Sequence, residues 1–118
     1  MTDLNIFDQE KLLQNSGDDE ELARDVAGVF LSDIPKQLND LEMAIGGNEI
    51  KTAERISHSI KGASATVGGE ALRALAFECE KFGHAGDLAA LGALVPDLRK
   101  QFNLLKDALS EAGFDPEA

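Results

Sequence analysis

The sequence has no tryptophan or tyrosine, and only one cysteine among its 118 residues. Cys79 has no partner for an internal disulfide bond, which fits a reducing compartment. Because Cys79 lies on the apolar side of a predicted helix, we expect it to pack in the core rather than react. The first ten residues lack the basic and apolar regions of a signal peptide, and no apolar run is long enough to cross a bilayer. We therefore expect a cytoplasmic protein.

Basic residues are scarce, and the formal net charge is −11. Residues 1–50 contain twelve acidic and three basic side chains, whereas residues 51–118 contain ten and eight. This acidic first half should repel nucleic acids and anionic membranes, so we expect neither as a partner. The need for solubility alone would also explain so acidic a balance. The segment from Lys51 to Lys81 is the least acidic part of the chain.

No segment alternates between apolar and polar residues with a period of two, so the sequence predicts no strands. Apolar residues instead recur at helical spacing, and a length of 118 residues suits a single domain over residues 1–118. Pro35 interrupts the longest stripe, which continues in phase beyond it and therefore predicts one kinked helix. The stripe comprises Leu22, Val26, Val29, Phe30, Ile34, Leu38, Leu41 and Ile45.

Short glycine-containing turns divide the chain into one short and four long predicted helices. The short helix covers residues 9–15, and the first long helix ends at residues 46–47. Two further helices cover residues 49–67 and 70–82, and Pro96 should bend the final long helix near its start. The expected N-caps are Asp8, Asp18, Asn48 and Asp87. The sequence "GHAGD" is the expected connection before the last helix. Four amphipathic helices with short turns predict an all-α, antiparallel four-helix bundle, with the short helix covering one end.

His58 lies in the stretch "ISHSIKGASATVGG", residues 56–69, and within the predicted helix over residues 49–67. On a helical wheel with about 100° per residue, the apolar side chains lie opposite His58. The residues within about 60° of it on the same wheel are Lys51, Glu54, Arg55, Lys61, Gly62 and Ala65. His58 is therefore predicted to face outward rather than into the core.

Gly62 favours a functional histidine over an idle surface one. Glycine inside a helix costs about 1 kcal/mol relative to alanine, so its presence needs a reason. Helical side chains lean toward the N-terminus, and a side chain at position 62 would lie over the ring of His58. Gly62, with the small Ala65 one turn further on, leaves space for a partner to approach the imidazole.

The sequence lacks the residues that metal binding, serine-based catalysis and nucleotide binding require. The other histidine, His84, is expected in a loop, and no His, Cys or Asp cluster has metal-ligand spacing. No serine has a matched acid and base, and the HExxH, P-loop and GxGxxG motifs are missing, so we expect neither metal nor cofactor. A neutral imidazole nitrogen, however, accepts phosphoryl groups as a nucleophile. Lys61, one turn away, is placed to offset the added negative charge.

The segment "AERISHSIKGASATVGGEALRALAFECEKFGHAGDL" resembles the histidine-containing phosphotransfer domains of bacterial and plant phosphorelays. Their hallmark is similar to H-S-L-K-G-S-[SA]-x-x-[LVF]-G. The chain matches it at His58, Lys61 and Gly62, and it departs mildly with Ile60 for leucine and Ala63 for serine. The resemblance extends over nearly the whole chain.

This resemblance implies that His58 takes a phosphoryl group from the aspartate of one receiver domain and passes it to another. The expected partners are the receivers of a hybrid sensor kinase and of a response regulator, and the chain is a monomeric carrier rather than an enzyme. The receiver would bring the Mg²⁺ and the charged groups that stabilise the transition state. Lys61 would screen the phosphoryl charge and Gly62 would provide clearance. Arg55, Ser59 and Ala65 would lie in the docking surface, although Arg55 equally fits a salt bridge within its helix.

Two alternatives compete with the carrier hypothesis. The phosphoacceptor domain of a chemotaxis-type histidine kinase has a similar H-x-x-K-G motif, and an excised domain would have the same sequence features. Because the sequence contains no kinase region, we expect a stand-alone carrier. A structural bundle that has lost phosphotransfer is the other alternative, against which His58, Lys61 and Gly62 argue.

Overall fold

The computed structural model describes residues 5–115, which fold into five α-helices without any strand. The prediction of an all-α protein is therefore confirmed. Residues 1–4 and 116–118 lie outside the described residues. The prediction that the N-terminus is not a signal peptide rests partly on residues 1–4. No helix in the described part of the chain is long and apolar enough to cross a membrane. The helices are α1 (Gln9–Asn15), α2 (Glu20–Gly46), α3 (Ile50–Thr66), α4 (Glu70–His84) and α5 (Leu88–Glu111).

Two of the four predicted N-caps are confirmed and two are wrong by one residue. The side chain of Asp8 accepts a hydrogen bond from the Lys11 amide, and Asp87 caps α5. The cap of α2 is Asp19 rather than Asp18, and Glu49 rather than Asn48 precedes α3. The reason is the same at both corrections. Asp18 and Asn48 adopt left-handed φ angles of 60° and 57°, so they form the preceding turn instead of the cap.

The predicted helix over residues 70–82 ends too early. Helix α4 continues through Gly83 to His84, so only residues 85–87 connect it to α5. The expectation that His84 lies in a loop is therefore wrong. The prediction ended the helix before Gly83 because glycine has a low helix propensity. In the structure Gly83 is buried against α3, and this packing outweighs that propensity.

Prolines lie inside two helices without ending either. Pro35 falls within α2, which confirms one continuous helix rather than two, and Pro96 falls within α5. Proline removes one backbone hydrogen bond, and packing of the apolar faces compensates for that loss.

The long helices pack in antiparallel order. Arg24, near the start of α2, donates from Nε to the Gly113 carbonyl just beyond α5, at 3.3 Å. Near the other end, Arg99 of α5 pairs with Glu42 of α2. Helix α2 also packs on α3, α3 on α4, and α4 on α5, which closes a four-sided bundle.

Helix α1 covers the end of the bundle at the turn between α3 and α4, as predicted. The Asp8 amide donates to the Gly68 carbonyl at 2.8 Å, and Lys11 pairs with Glu70 at 2.8 Å. Gly68 has a φ of +79°, and a Cβ there would overlap the carbonyl oxygen of Asp8. Leu12 is fully buried beneath this contact.

The core consists of apolar side chains from all five helices, and it includes Cys79 as predicted. Burial raises the pKa of the Cys79 thiol to about 12, with a smaller contribution from Glu78, so the thiol stays protonated. Leu22 and Val29 of the predicted stripe lie outside the core, with Val29 69% exposed. They are seven residues apart and share the outer face of α2, while Ala23, Ala27 and Phe30 take the inner positions.

Candidate functional site

His58 projects outward from the middle of α3, and its side chain is 65% exposed. The opposite side of α3 carries a buried row that includes Ala53 and Ile60. Two buried serines extend this row and bond to their own helix. Ser57 donates to the Ala53 carbonyl at 2.9 Å, and Ser64 donates to the Ile60 carbonyl at 2.6 Å. Burial of this row fixes the rotation of α3 and thereby turns His58 toward solvent, as the wheel predicts.

Glu80 of α4 joins the two polar residues of the sequence motif. One carboxylate oxygen, Oε2, lies 2.6 Å from Nδ1 of His58. The other, Oε1, lies 2.6 Å from the ammonium of Lys61. The Glu80 side chain is only 19% exposed, so α4 holds it against the α3 surface. A single carboxylate therefore orients both residues.

The charge of Glu80 determines which imidazole nitrogen carries the hydrogen. The Lys61 ammonium beside Glu80 lowers the pKa of that carboxyl, and His58 lowers it further against the opposing effect of burial. An ionised carboxylate only accepts hydrogen bonds. Nδ1 of His58 must therefore be the donor, which leaves the lone pair of a neutral ring on Nε2. Glu80 thus fixes the orientation of an exposed ring whose other nitrogen carries no hydrogen when the ring is neutral.

Lys61 is held between α3 and α4 by two contacts. Besides the ion pair with Glu80, its ammonium lies 4.9 Å from the centroid of the Phe77 ring. Lys81 contacts the same ring at 4.7 Å, and Phe77 is 42% exposed. Cation–π contacts at such partly exposed sites contribute about 0.5–1 kcal/mol each. Lys61 is consequently only 26% exposed, and its positive charge remains one helical turn from His58.

Gly62 and the three predicted docking residues share the α3 segment around His58. Gly62 is exposed, and a Cβ placed there would have no neighbouring atom within 4 Å. Arg55 and Ser59 are exposed, while Ala65 is half-buried. Within residues 5–115 no carboxylate pairs with Arg55, so the alternative of an intrahelical salt bridge is not observed.

Glu80 was not found by the sequence analysis, although one signal points to it. Helices α3 and α4 form a hairpin about Gly68 and Gly69, and residues at similar distances from such a turn face each other. His58 lies ten residues before Gly68, and Glu80 lies eleven after Gly69. Wheel analysis of α3 alone contains no such information, because it considers one helix at a time.

His84 occupies a related position one turn away. Its Nδ1 lies 3.0 Å from Oε2 of Glu54, and its side chain is 83% exposed. Three residues after His58 comes a lysine, whereas Asp87 follows His84 at the same spacing. His84 thus lacks the lysine three residues further on that His58 has, and the lysine on its own helix, Lys81, precedes it instead. In the described part of the chain, no three His, Cys, Asp or Glu side chains converge as metal ligands.

Comparison with solved structures identifies the same bundle elsewhere. Histidine-containing phosphotransfer protein B from Pseudomonas aeruginosa superimposes with a TM-score of 0.85, at 20% identity, over 93% of this chain and 96% of that one. The HPT domain of a sensor hybrid histidine kinase from Shewanella gives a TM-score of 0.69, at 21% identity, over 92% and 97%. These similarities show a common fold.

Sequence comparison identifies a curated relative and the family. The chain is 28% identical over 105 residues to the phosphorelay intermediate protein rdeA of Dictyostelium discoideum. That alignment covers 86% of this chain but only 41% of rdeA, so the chain spans less than half of this relative's length. The Hpt domain family model matches residues 25–112, which include the His58 motif and Glu80. The chain therefore belongs to the Hpt domain family of histidine-containing phosphotransfer proteins, as the residues around His58 predict.

Proposed function

We propose that this chain is a phosphorelay carrier. Nε2 of His58 accepts a phosphoryl group from the aspartate of one receiver domain and passes it to the aspartate of another receiver domain. The observation that best supports this function is the contact between His58 and Glu80. Because Glu80 accepts from Nδ1, the neutral ring carries its nucleophilic lone pair on the other nitrogen.

In the forward step, Nε2 attacks the phosphorus of the aspartyl phosphate. A nitrogen–phosphorus bond forms as the bond to the aspartate oxygen breaks, and the aspartate leaves as a carboxylate. The imidazole gains positive charge in this step, and the Glu80 carboxylate stabilises it through the Nδ1–H hydrogen bond. The receiver domain supplies the metal ion and the groups around the transferring phosphoryl.

The other motif residues support this step from the carrier side. The Lys61 ammonium, fixed one turn from His58, screens the negative charge of the phosphoryl oxygens. Gly62 leaves open space beside the ring, and Arg55, Ser59 and Ala65 form part of the surface on which the receiver docks. In phosphotransfer, this arrangement makes the carrier a substrate for its partners rather than an enzyme with its own nucleotide site.

We further infer the setting in which the carrier works. Its partners are receiver domains of a hybrid sensor kinase and of a response regulator, and residues 1–118 act as a single monomeric domain in the cytoplasm. The net charge of −11 supports protein partners over nucleic acids or anionic membranes.

A phosphotransfer assay tests this proposal. The chain is incubated with a receiver domain phosphorylated on aspartate, with ATP alone, and with phosphoramidate. We expect label from the phosphorylated receiver and from phosphoramidate but not from ATP. His58→Gln should lose all label while its circular dichroism spectrum remains helical. Label from ATP alone, or label retained by folded His58→Gln, would overturn the assignment.

A further inference from the structure

Helices α3 and α4 approach each other closely at Gly83, one turn from the His58 site. A Cβ at this position would lie 2.9 Å from the Cα of Glu54, 3.1 Å from its Cβ and 3.2 Å from its backbone nitrogen. Ordinary contacts of this kind are 3.4–4 Å. Two of the three atoms belong to the backbone, so no side-chain rotation relieves the overlap.

Conformation does not explain the glycine. Gly83 lies inside α4 and is not among the residues with positive φ, so an L-amino acid could adopt its backbone angles. Glycine is also among the poorest helix formers. The close approach of the α3 backbone is therefore the reason that position 83 carries no side chain.

The location of this contact links it to the candidate site. Glu80 lies three residues before Gly83 on α4, and His58 lies four residues after Glu54 on α3. Both intervals are about one helical turn. The distance between the two backbones at Gly83 and Glu54 therefore also sets the distance between the helices where Glu80 meets His58.

We propose that Gly83 is a positioning residue for phosphotransfer, setting the helix spacing at which the Glu80 carboxylate reaches both His58 and Lys61. This inference rests on the proposed function and deepens it. The two contacts of Glu80 are each 2.6 Å long. A Cβ at position 83 must move about 0.5 Å away from the Glu54 Cα to reach an ordinary 3.4 Å. The same displacement would lengthen each contact of Glu80 from 2.6 Å to about 3.1 Å, near the long end of the hydrogen-bond range, and so weaken both.

The test compares Gly83→Ala with Gly92→Ala, the same substitution in α5. A Cβ at Gly92 would meet only Ile45 Cγ2, at an ordinary 3.5 Å. The imidazole tautomer of His58 is read from its ¹⁵N chemical shifts and from couplings to the ring protons. We expect Gly83→Ala to shift the neutral ring from the Nδ1–H toward the Nε2–H tautomer and Gly92→Ala to match the wild type.

The phosphotransfer rate provides a second measurement. Gly83→Ala should slow phosphorylation by phosphoramidate about as much as Glu80→Gln does, and adding it to Glu80→Gln should cause little further loss. A folded Gly83→Ala protein with the wild-type tautomer would overturn the inference.

A further variant covers the case in which Gly83→Ala does not fold. Glu80→Asp keeps the helix packing but withdraws the carboxylate by one methylene, so it should produce the same tautomer shift. An unchanged tautomer in Glu80→Asp would overturn the inference. The tautomer measurement needs no receiver. A wild type that never accepts phosphate, but whose tautomer responds as expected, would therefore contradict only the proposed function.

Discussion

Glu80 of α4 holds His58 of α3 by a 2.6 Å contact between its Oε2 and the imidazole Nδ1, and its other oxygen holds Lys61. Two residues contributed by one sequence motif are thus organised by a third from a different helix. Several consequences of this arrangement are measurable.

Replacing Glu80 with glutamine should slow phosphorylation of His58 by about tenfold, the order expected for losing one hydrogen bond to a charged group. The amide removes the negative charge that fixes the tautomer and supports the developing imidazolium. The rate with phosphoramidate measures this effect without receiver docking. Glu78→Gln is the matched control, because Glu78 lies on the same helix and pairs only with Lys81 among the described residues. Equal rates in the two variants would contradict the role of Glu80.

Gly62→Ala should stabilise the protein by about 0.5–1 kcal/mol, because position 62 is helical and a Cβ there meets nothing. Gly62→Gln should melt no lower than the wild type. Its side chain would nevertheless lean over His58 and slow transfer from a phosphorylated receiver much more than labelling by phosphoramidate. Thermal unfolding and the two transfer rates measure these effects. Unchanged transfer from the receiver would rule out steric clearance as the function of Gly62.

Protonation of Glu80 should make part of the stability dependent on pH. Its pKa is lowered from the ordinary value of 4.5 by Lys61 and His58, so the folded state favours the ionised form. This contribution is fully present above about pH 4.5 and is lost as the pH falls through the lower folded-state pKa. Urea unfolding from pH 6 to pH 3 should show a larger loss of stability in the wild type than in Glu80→Gln. Parallel pH profiles would show that the ion pair contributes nothing.

His84→Gln should leave the rate and extent of phosphorylation close to those of the wild type. His84 contacts Glu54, and Asp87 rather than a lysine follows it three residues on, so the sequence around His84 lacks the His-x-x-Lys spacing of the His58 site. Mass spectrometry of the labelled protein locates the modified histidine. Phosphate found on His84 in the wild type would show that the two histidines are not distinguished in this way.

The sequence by itself determined the local features of the fold and one side of the site. Helical periodicity and the caps at Asp8 and Asp87 predicted the helices, and the wheel of α3 placed His58 outward with Lys61 and Gly62 beside it. Such features depend on residues within one or two turns of each other, which share a helix geometry that is known in advance. The same periodicity led to the wrong placement of Leu22 and Val29, because a stripe alone does not show which of its edges meets another helix.

Only the tertiary structure decided which residue faces His58. The contact with Glu80 depends on the register and spacing of α3 and α4, which are set by the turn at residues 67–69 and by the fit of Gly83 against Glu54. That packing also carried α4 through Gly83 to His84, against the local preference of glycine. Register and close approach arise from many weak contacts between helices, and these are absent from the pattern of any single helix.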